Sequence, residues 1–211
     1  MSLKLDWCSH KAALYAVKKW HYSRCLPAGK TVKIGVWEDT IFIGAIIFSL
    51  GANAHLRNLH GKTCELSRVA LNNHKNSVTR IVSISLMLLK RKFTDLDCVV
   101  SYADLDRHTG KIYEAGNWVD DGEVVAKWLS INGKKVHPRS VFSKFGTHDV
   151  NWLKKNIDIN ASYVETKGKR RFLWFFDKKM RRKHRIDAGG FQPPEGSESL
   201  TPALQNGGQH A

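Results

Sequence analysis

Apolar residues change their spacing several times along the chain, and each change marks an element. Residues 9–20 carry Ala12, Ala13, Tyr15, Ala16, Val17 and Trp20 at helical spacing, with Ser9 placed to cap the helix. A polar cluster, His21-Tyr22-Ser23-Arg24, and the turn Pro27-Ala28-Gly29 follow. Val32, Ile34 and Val36, then Ile41, Ile43, Ala45 and Ile47, alternate around Glu38-Asp39-Thr40, which predicts a β-hairpin. Residues 51–63, broken by Gly and Asn and carrying His55, Arg57 and His60, are expected to form a polar loop beside a substrate. Cys64 to Leu71 reads as a strand. It leads through Asn72-Asn73-His74-Lys75-Asn76-Ser77 into a helix whose apolar face is Val78, Ile81, Val82, Ile84, Leu88 and Leu89, capped by Asn76 or Ser77. Cys98 to Tyr102 gives another strand, ending in Ala103-Asp104, and a short helix closes on Tyr113-Glu114-Ala115-Gly116-Asn117-Trp118.

Further on, runs at 124–131 and 134–136 flank Asn132-Gly133, a strong hairpin signal. Residues 140–157 read as partly helical, with Asp149 as a cap. The stretch 123–160 is expected to be an insertion into the main fold. Ser162 to Glu165, a turn at Lys167-Gly168, and Arg171 to Phe176 predict a final hairpin. From Ala188 onward Gly, Pro, Ser, Gln and Asn dominate, so residues 188–211 are expected to be a disordered tail behind a single domain over 1–187.

A strand running into the N-terminus of a long helix presents free amides suited to an anionic group. The strand carrying Asp104 ends at the edge where open α/β sheets hold ligands. This order of strand, turn, long helix, diverging strand, and a helix ending in Tyr-x-x-Gly-x-aromatic resembles the GNAT superfamily of N-acyltransferases. The resemblance implies an α/β (α+β) fold, with a central mixed, twisted sheet flanked by helices, here extended by the insertion and a basic C-terminal segment. It aligns Tyr113, otherwise a core aromatic, with the tyrosine that protonates a departing thiolate; Ser77 and Arg80 are expected around an anionic donor, and Arg68 is expected either to reach that donor or to pair with Glu65 or an acidic residue across the sheet. In one respect the chain departs from the pattern: the turn 72–77 has none of the glycines that let backbone amides close around the pyrophosphate of coenzyme A. A plain βαβ packing unit would show the same order.

Charge narrows the field. The 211 residues carry 34 Lys and Arg against 19 Asp and Glu, a formal net charge of +15, and a polyanionic partner accounts for such an excess. Residues 167–185 hold ten Lys or Arg and one acid, interleaved with aromatics. Arg170, Arg171, Lys178, Lys179, Arg181, Arg182, Lys183 and Arg185 are therefore expected to contact nucleic acid phosphates. Cys8, Cys25, Cys64 and Cys98 form no metal-binding or redox pair and read as reduced thiols of a cytosolic protein. The longest apolar run, Ile41 to Leu50, is too short to span a bilayer, so no membrane role is expected. No G-x-G-x-x-G follows a strand, which argues against a nucleotide-methyltransferase reading.

His21, Tyr22 and Asp104 each stand at the end of a predicted element near the ligand edge. Together they suit either iron ligation or acid–base work, and spacing does not choose between them.

The segments His21-Tyr22-Ser23-Arg24 with Leu26 to Lys30, Lys33 to Glu38, Cys64 to Leu71, Arg80 to Ser85 and Gly116-Asn117-Trp118 resemble the Mom family of bacteriophage Mu, over roughly residues 5 to 185. The resemblance implies a phage-encoded transferase of the host cytoplasm that converts adenine in double-stranded DNA to its N6-carbamoylmethyl form and shields it from restriction enzymes. It implies iron as a metal, and His21, Tyr22, Arg68 and Asp104 as functional positions. A base modified inside duplex DNA must be flipped or caught unpaired and stacked on an aromatic face, for which Tyr22 is the first candidate, ahead of Trp20, Trp37 and Trp118.

Acetyl-CoA alone leaves a carbonyl on the adenine nitrogen, whereas the carbamoylmethyl group has a methylene there. A glycyl group is an isomer of carbamoylmethyl, so an activated glycine, such as glycyl-tRNA, is one donor. Acetyl-CoA with iron-dependent oxidation and a separate nitrogen source is the other. A non-catalytic DNA-binding protein and a small-molecule acyltransferase are the rival functions, and the oligomeric state, a homodimer included, stays open.

Overall fold

Alternate residues of the hairpin face opposite sides of a sheet, and both sides are covered. The computed structural model describes residues 2–51, 54–125 and 128–187. Along the chain these form β1 (Leu3–Trp7), α1 (His10–Trp20), β2 (Thr31–Glu38), β3 (Ile41–Leu50), α2 (Ala54–His60), β4 (Thr63–Leu71) and α3 (Val78–Lys92). Then come β5 (Cys98–Asp104), α4 (Lys111–Ala115), β6 (Val119–Val124), β7 (Trp128–Ile131) and β8 (Lys134–Val136). The chain continues through α5 (Pro138–Phe145), α6 (Val150–Asn156), β9 (Ser162–Val164), β10 (Lys169–Phe175) and α7 (Lys178–Asp187). The expected tail, 188–211, lies outside the described residues.

The main sheet runs β1-β2-β3-β4-β5-β10-β6, with β4 and β5 parallel and the other neighbours antiparallel. On β3, Ala45 and Ile47 pack under Ala13, Ala16 and Val17 of α1. Ile46 and Phe48 of the same strand face Ile81, Val82, Leu86 and Leu89 of α3. A strand buried on both faces reads as the near-continuous apolar run seen here. Gly44 on β3 has φ +150°, and a Cβ there would lie 2.0 Å from the Ala70 carbonyl oxygen, so only glycine allows β3 and β4 this approach.

The feature that positions the site is a divergence. β4 and β5 pair from Thr63↔Cys98 to Leu66↔Ser101 and no further, although each continues, to Leu71 and to Asp104. Immediately after Leu66 the β3–β4 register shifts so that Ser67 is skipped, a bulge that bends β4 away. Ser101, buried at the fork, donates through Oγ to the Leu66 carbonyl at 3.0 Å.

Two expectations need correction. Residues 51–63 are not a polar loop on the substrate side: residues 54–60 are helical, and Leu56 is fully buried with Cys98, Val100, Val119, Leu173 and Phe175. The final hairpin also does not form. β9 joins β7 and β8 in a separate small sheet, whereas β10 enters the main sheet between β5 and β6. Phe172, Leu173 and Phe175 bury both faces of β10, which only an interior strand permits, while β9 has no buried residue and stays at an edge. The small sheet, α5 and α6 share their own core of Leu129, Ile131, Val141, Leu153 and Ala161. Among the described residues no helix is long and apolar enough to cross a membrane.

Candidate functional site

Where β4 and β5 separate, a cleft of about 650 Å³ opens. Its walls are β4 from Leu66 to Leu71, the end of α1 with His21 and Tyr22, and the loop from Arg107 to Gly110 that leads into α4. Gly110 caps α4 with φ +83°, and a Cβ there would strike the Phe172 ring at 2.6 Å, so the loop can turn this tightly only with glycine. Arg68, Arg107 and Lys111 line the cleft with His21, His74 and His108, and among the described lining residues there is no Asp or Glu. Aromatic surface comes from Trp20, Tyr22, Tyr102 and Tyr113. The site is therefore cationic and aromatic, a combination that suits a nucleotide or another anion carrying a flat ring.

His21 follows the last turn of α1 in extended conformation, its N–H donating to the Val17 carbonyl. Its Nδ1 accepts the Ser23 N–H at 3.1 Å and lies 2.8 Å from Ser23 Oγ. A backbone N–H can only donate, so Nδ1 carries no proton and the neutral ring holds its hydrogen on Nε2. Burial, reinforced by the Arg68 and His108 charges, pulls the imidazole down to a pKa of about 4. His21 is thus a neutral N–H donor at neutral pH.

Tyr22 stacks on His21 at 4.4 Å between ring centroids, and the Arg107 guanidinium sits 4.9 Å from the Tyr22 ring centre. Half of Tyr22 remains exposed. Burial, and then the Asp104 charge, push its phenol upward, so it stays protonated. Asp104 approaches Arg107 Nε at 3.7 Å and takes the Asp106 N–H, but it opens into a smaller recess with Trp128, Lys135 and Lys169. Of the three groups expected at one rim, His21 and Tyr22 touch, and Asp104 joins them through Arg107.

Arg68 is held by two carbonyls, Nε to Cys25 at 3.2 Å and Nη1 to Ser67 at 2.7 Å. Glu65, its other candidate partner, bonds Ser67 Oγ. Tyr113 is buried, stacked on Phe172 at 4.8 Å, with its hydroxyl 2.8 Å from Ser101 Oγ. Burial raises its phenol, opposed by the Ser101 contact. Ser77 caps α3 by accepting the Arg80 N–H at 3.3 Å, and Arg80 donates to Asn76 Oδ1 at 3.0 Å. Neither lines the cleft; Arg80 borders a separate recess with Trp118 and Trp174. Trp37 is packed against Phe42, away from the site.

The donor atoms at His21, Tyr22 and Asp104 do not fit an iron centre. The neutral His21 ring carries its hydrogen on Nε2 and spends the Nδ1 lone pair on the Ser23 N–H, the Asp104 carboxylate is engaged by Arg107 and the Asp106 N–H, and no group of three or more His, Cys, Asp or Glu suited to a metal occurs among the described residues. The amides of the turn before α3 are also already occupied. Lys75 N–H and Asn76 N–H both donate to the buried carboxylate of Glu38.

The basic segment divides into two sets. Arg170 and Arg171 pair with Asp120 and Asp121. Arg181 donates to the Phe175 carbonyl and lies 3.6 Å over the Trp174 ring, and Arg185 donates to the Asn117 carbonyl. Lys178, Lys179, Arg182 and Lys183 stand exposed on α7, free to meet phosphates. Glu38 and Ser101 were not found by sequence reasoning. The only hint of either was a single charge or hydroxyl continuing an otherwise apolar strand.

The Mom protein family model matches residues 2–192. Among solved structures, mutant forms of the spermidine/spermine N-acetyltransferase SpeG from Vibrio cholerae align with a TM-score of 0.51 and 12% identity, over 86% of this chain and 99% of that one. The dodecameric spermidine N-acetyltransferase from Vibrio cholerae in an intermediate state aligns with a TM-score of 0.52 and 12% identity, over 85% and 97%. The likeness is one of fold: the mostly antiparallel sheet flanked by helices is the GNAT architecture expected from the sequence. No curated protein sequence matches the chain.

Proposed function

Since the chain belongs to the Mom protein family, we propose that it is a DNA-modifying transferase that converts adenine to its N6-carbamoylmethyl form, with an activated glycyl ester as donor. The observation that carries this reading is the cationic and aromatic cleft at the β4–β5 fork, with no Asp or Glu among its described lining residues. A flipped adenine packs against the aromatic lining of the cleft, with Tyr22 half exposed at its rim, and the exposed lysines of α7 hold the phosphate backbone. The product would resist restriction enzymes that read the adenine amino group.

The chemistry balances without an oxidant. The adenine N6 attacks the glycyl carbonyl, an N–C bond forms, the ester C–O bond breaks, and a proton passes from the amine to the departing hydroxyl oxygen. Oxyanion charge developing on the carbonyl is met by the Arg68 cation, with His21 Nε2–H as donor, while the Tyr113 hydroxyl stays engaged with Ser101 Oγ. The free glycyl amine then attacks purine C6 and closes a five-membered ring. That ring opens by cleavage of the original C6–N6 bond. The former amino nitrogen becomes the terminal amide, and the glycine nitrogen remains on the purine. A lining of arginine, lysine and aromatic residues suits this sequence because its anionic partners are the nucleic acids themselves. It does not suit a polyamine such as the spermidine named for the structural neighbours, since a polycation would face the Arg68, Arg107 and Lys111 that line it.

Mass spectrometry of nucleosides from the DNA of cells expressing the chain tests the reading. The expected result is a deoxyadenosine heavier by one glycyl residue. Unmodified adenine would leave only a DNA-binding role.

A further inference from the structure

The α3 N-terminus is where an acyltransferase of this architecture would seat a donor diphosphate on backbone amides. Here an internal carboxylate has taken the place. Glu38 ends β2, and the two-residue turn Asp39-Thr40 fixes its pairing with Ile41. Val32, Ile34 and Val36 point from β2 toward α3, and Glu38 is the next residue on that face.

Glu38 is 6% exposed. Oε1 accepts the Asn76 N–H at 2.8 Å and Asn76 Nδ2 at 2.8 Å, and Oε2 accepts the Lys75 N–H at 2.9 Å. The Asn76 hydrogen bonds, first among the causes, hold the carboxyl at a pKa of about 2, so it is charged at every working pH. Ser77 Oγ caps the Arg80 N–H one step further along. The amides of a phosphate turn are thus already paired with an anion of the protein's own, and a diphosphate would have to displace a buried, fully bonded carboxylate of like charge.

We propose that Glu38 is a built-in substitute for the donor's diphosphate, and that this transferase excludes coenzyme A thioesters in favour of a donor carrying its acyl group as an ester on a ribose hydroxyl of RNA. Such a donor needs no diphosphate seat; its phosphodiesters meet Arg107 and Lys111 across the cleft. The donor assignment rests on the transferase reading, whereas the exclusion of coenzyme A rests on Glu38 alone.

Titrating the full chain with coenzyme A and with inorganic pyrophosphate, followed by the backbone amide resonances of Lys75 and Asn76, tests it. Both resonances are expected to stay unmoved in the wild type up to millimolar ligand. In Glu38→Ala, inorganic pyrophosphate is expected to shift them, with affinity raised by roughly tenfold. Saturable movement of these amides on adding coenzyme A to the wild type overturns the proposal, and that measurement stands even where Glu38→Ala fails to fold. Pyrophosphate affinity that is equal in folded wild type and Glu38→Ala also overturns it. An absent adenine adduct with unmoved amides would instead strike the proposed function and leave the exclusion intact.

Discussion

Replacing Arg68 with alanine is expected to cut adenine modification by roughly 100-fold, the loss typical of removing one preorganised group from a developing oxyanion. Arg68 follows the Ser67 bulge, so the bend that opens the fork also aims this side chain. Its Nε and Nη1 are fixed by the Cys25 and Ser67 carbonyls, which leaves the cation no freedom to swing away from the cleft. Arginine meets both carbonyls with a planar fork, whereas the ammonium of lysine restores charge without that geometry. Arg68→Lys is therefore expected to fall between wild type and Arg68→Ala. Both carbonyls accept from a partly exposed side chain, so stability should hardly change, and thermal unfolding separates lost function from lost fold. A wild-type modification rate in a folded Arg68→Ala variant would remove Arg68 from the chemistry.

Two substitutions at His21 are expected to behave oppositely. Glutamine can present an N–H near the Nε2 position and should keep activity within about tenfold of wild type, the worth of a single hydrogen bond. Asparagine places its amide near Nδ1, loses the donor that faces the cleft, and should cost roughly 100-fold. A metal ligand or a general base would be lost equally in both variants, so the split itself is the readout. The pH dependence adds a check on folding. Unfolded, His21 takes up a proton at the ordinary 6.5; folded, it does so only near 4. The folded state therefore binds fewer protons between these values, and the His21 contribution to stability, complete above pH 6.5, declines as pH falls toward 4. His21→Gln should flatten that part of the stability profile. An unchanged profile would contradict the buried, neutral imidazole.

Local chemistry was legible in the sequence, and partner choice was not. Ser9 caps α1 by accepting the Ala12 N–H, Ser77 caps α3, Asp149 caps α6, and Asn132-Gly133 turns β7 into β8 with both residues at positive φ. Each is settled within a few residues of chain. The strands β4 and β5 and the helix between them were also readable, because their apolar patterns are long and periodic. β1 and β6 were missed, each a short strand with few buried residues. The place of β10 depended on which distant strands would cover its two apolar faces. In the site, His21 and Tyr22 were visible as a polar pair after an amphipathic helix. Their coupling to Arg107, and the seating of Glu38 on Lys75 and Asn76, join residues far apart in sequence and exist only once the sheet has folded.

The adenine amino nitrogen is expected to take a glycyl group in this cleft and then to exchange places with the glycine nitrogen. Nitrogen-labelled glycine, fed to cells expressing the chain and followed by fragmentation of the modified nucleoside, tests it most directly. The label is expected on the nitrogen attached to purine C6, with the terminal amide unlabelled. A modified base in which that nitrogen carries no glycine label would contradict the account.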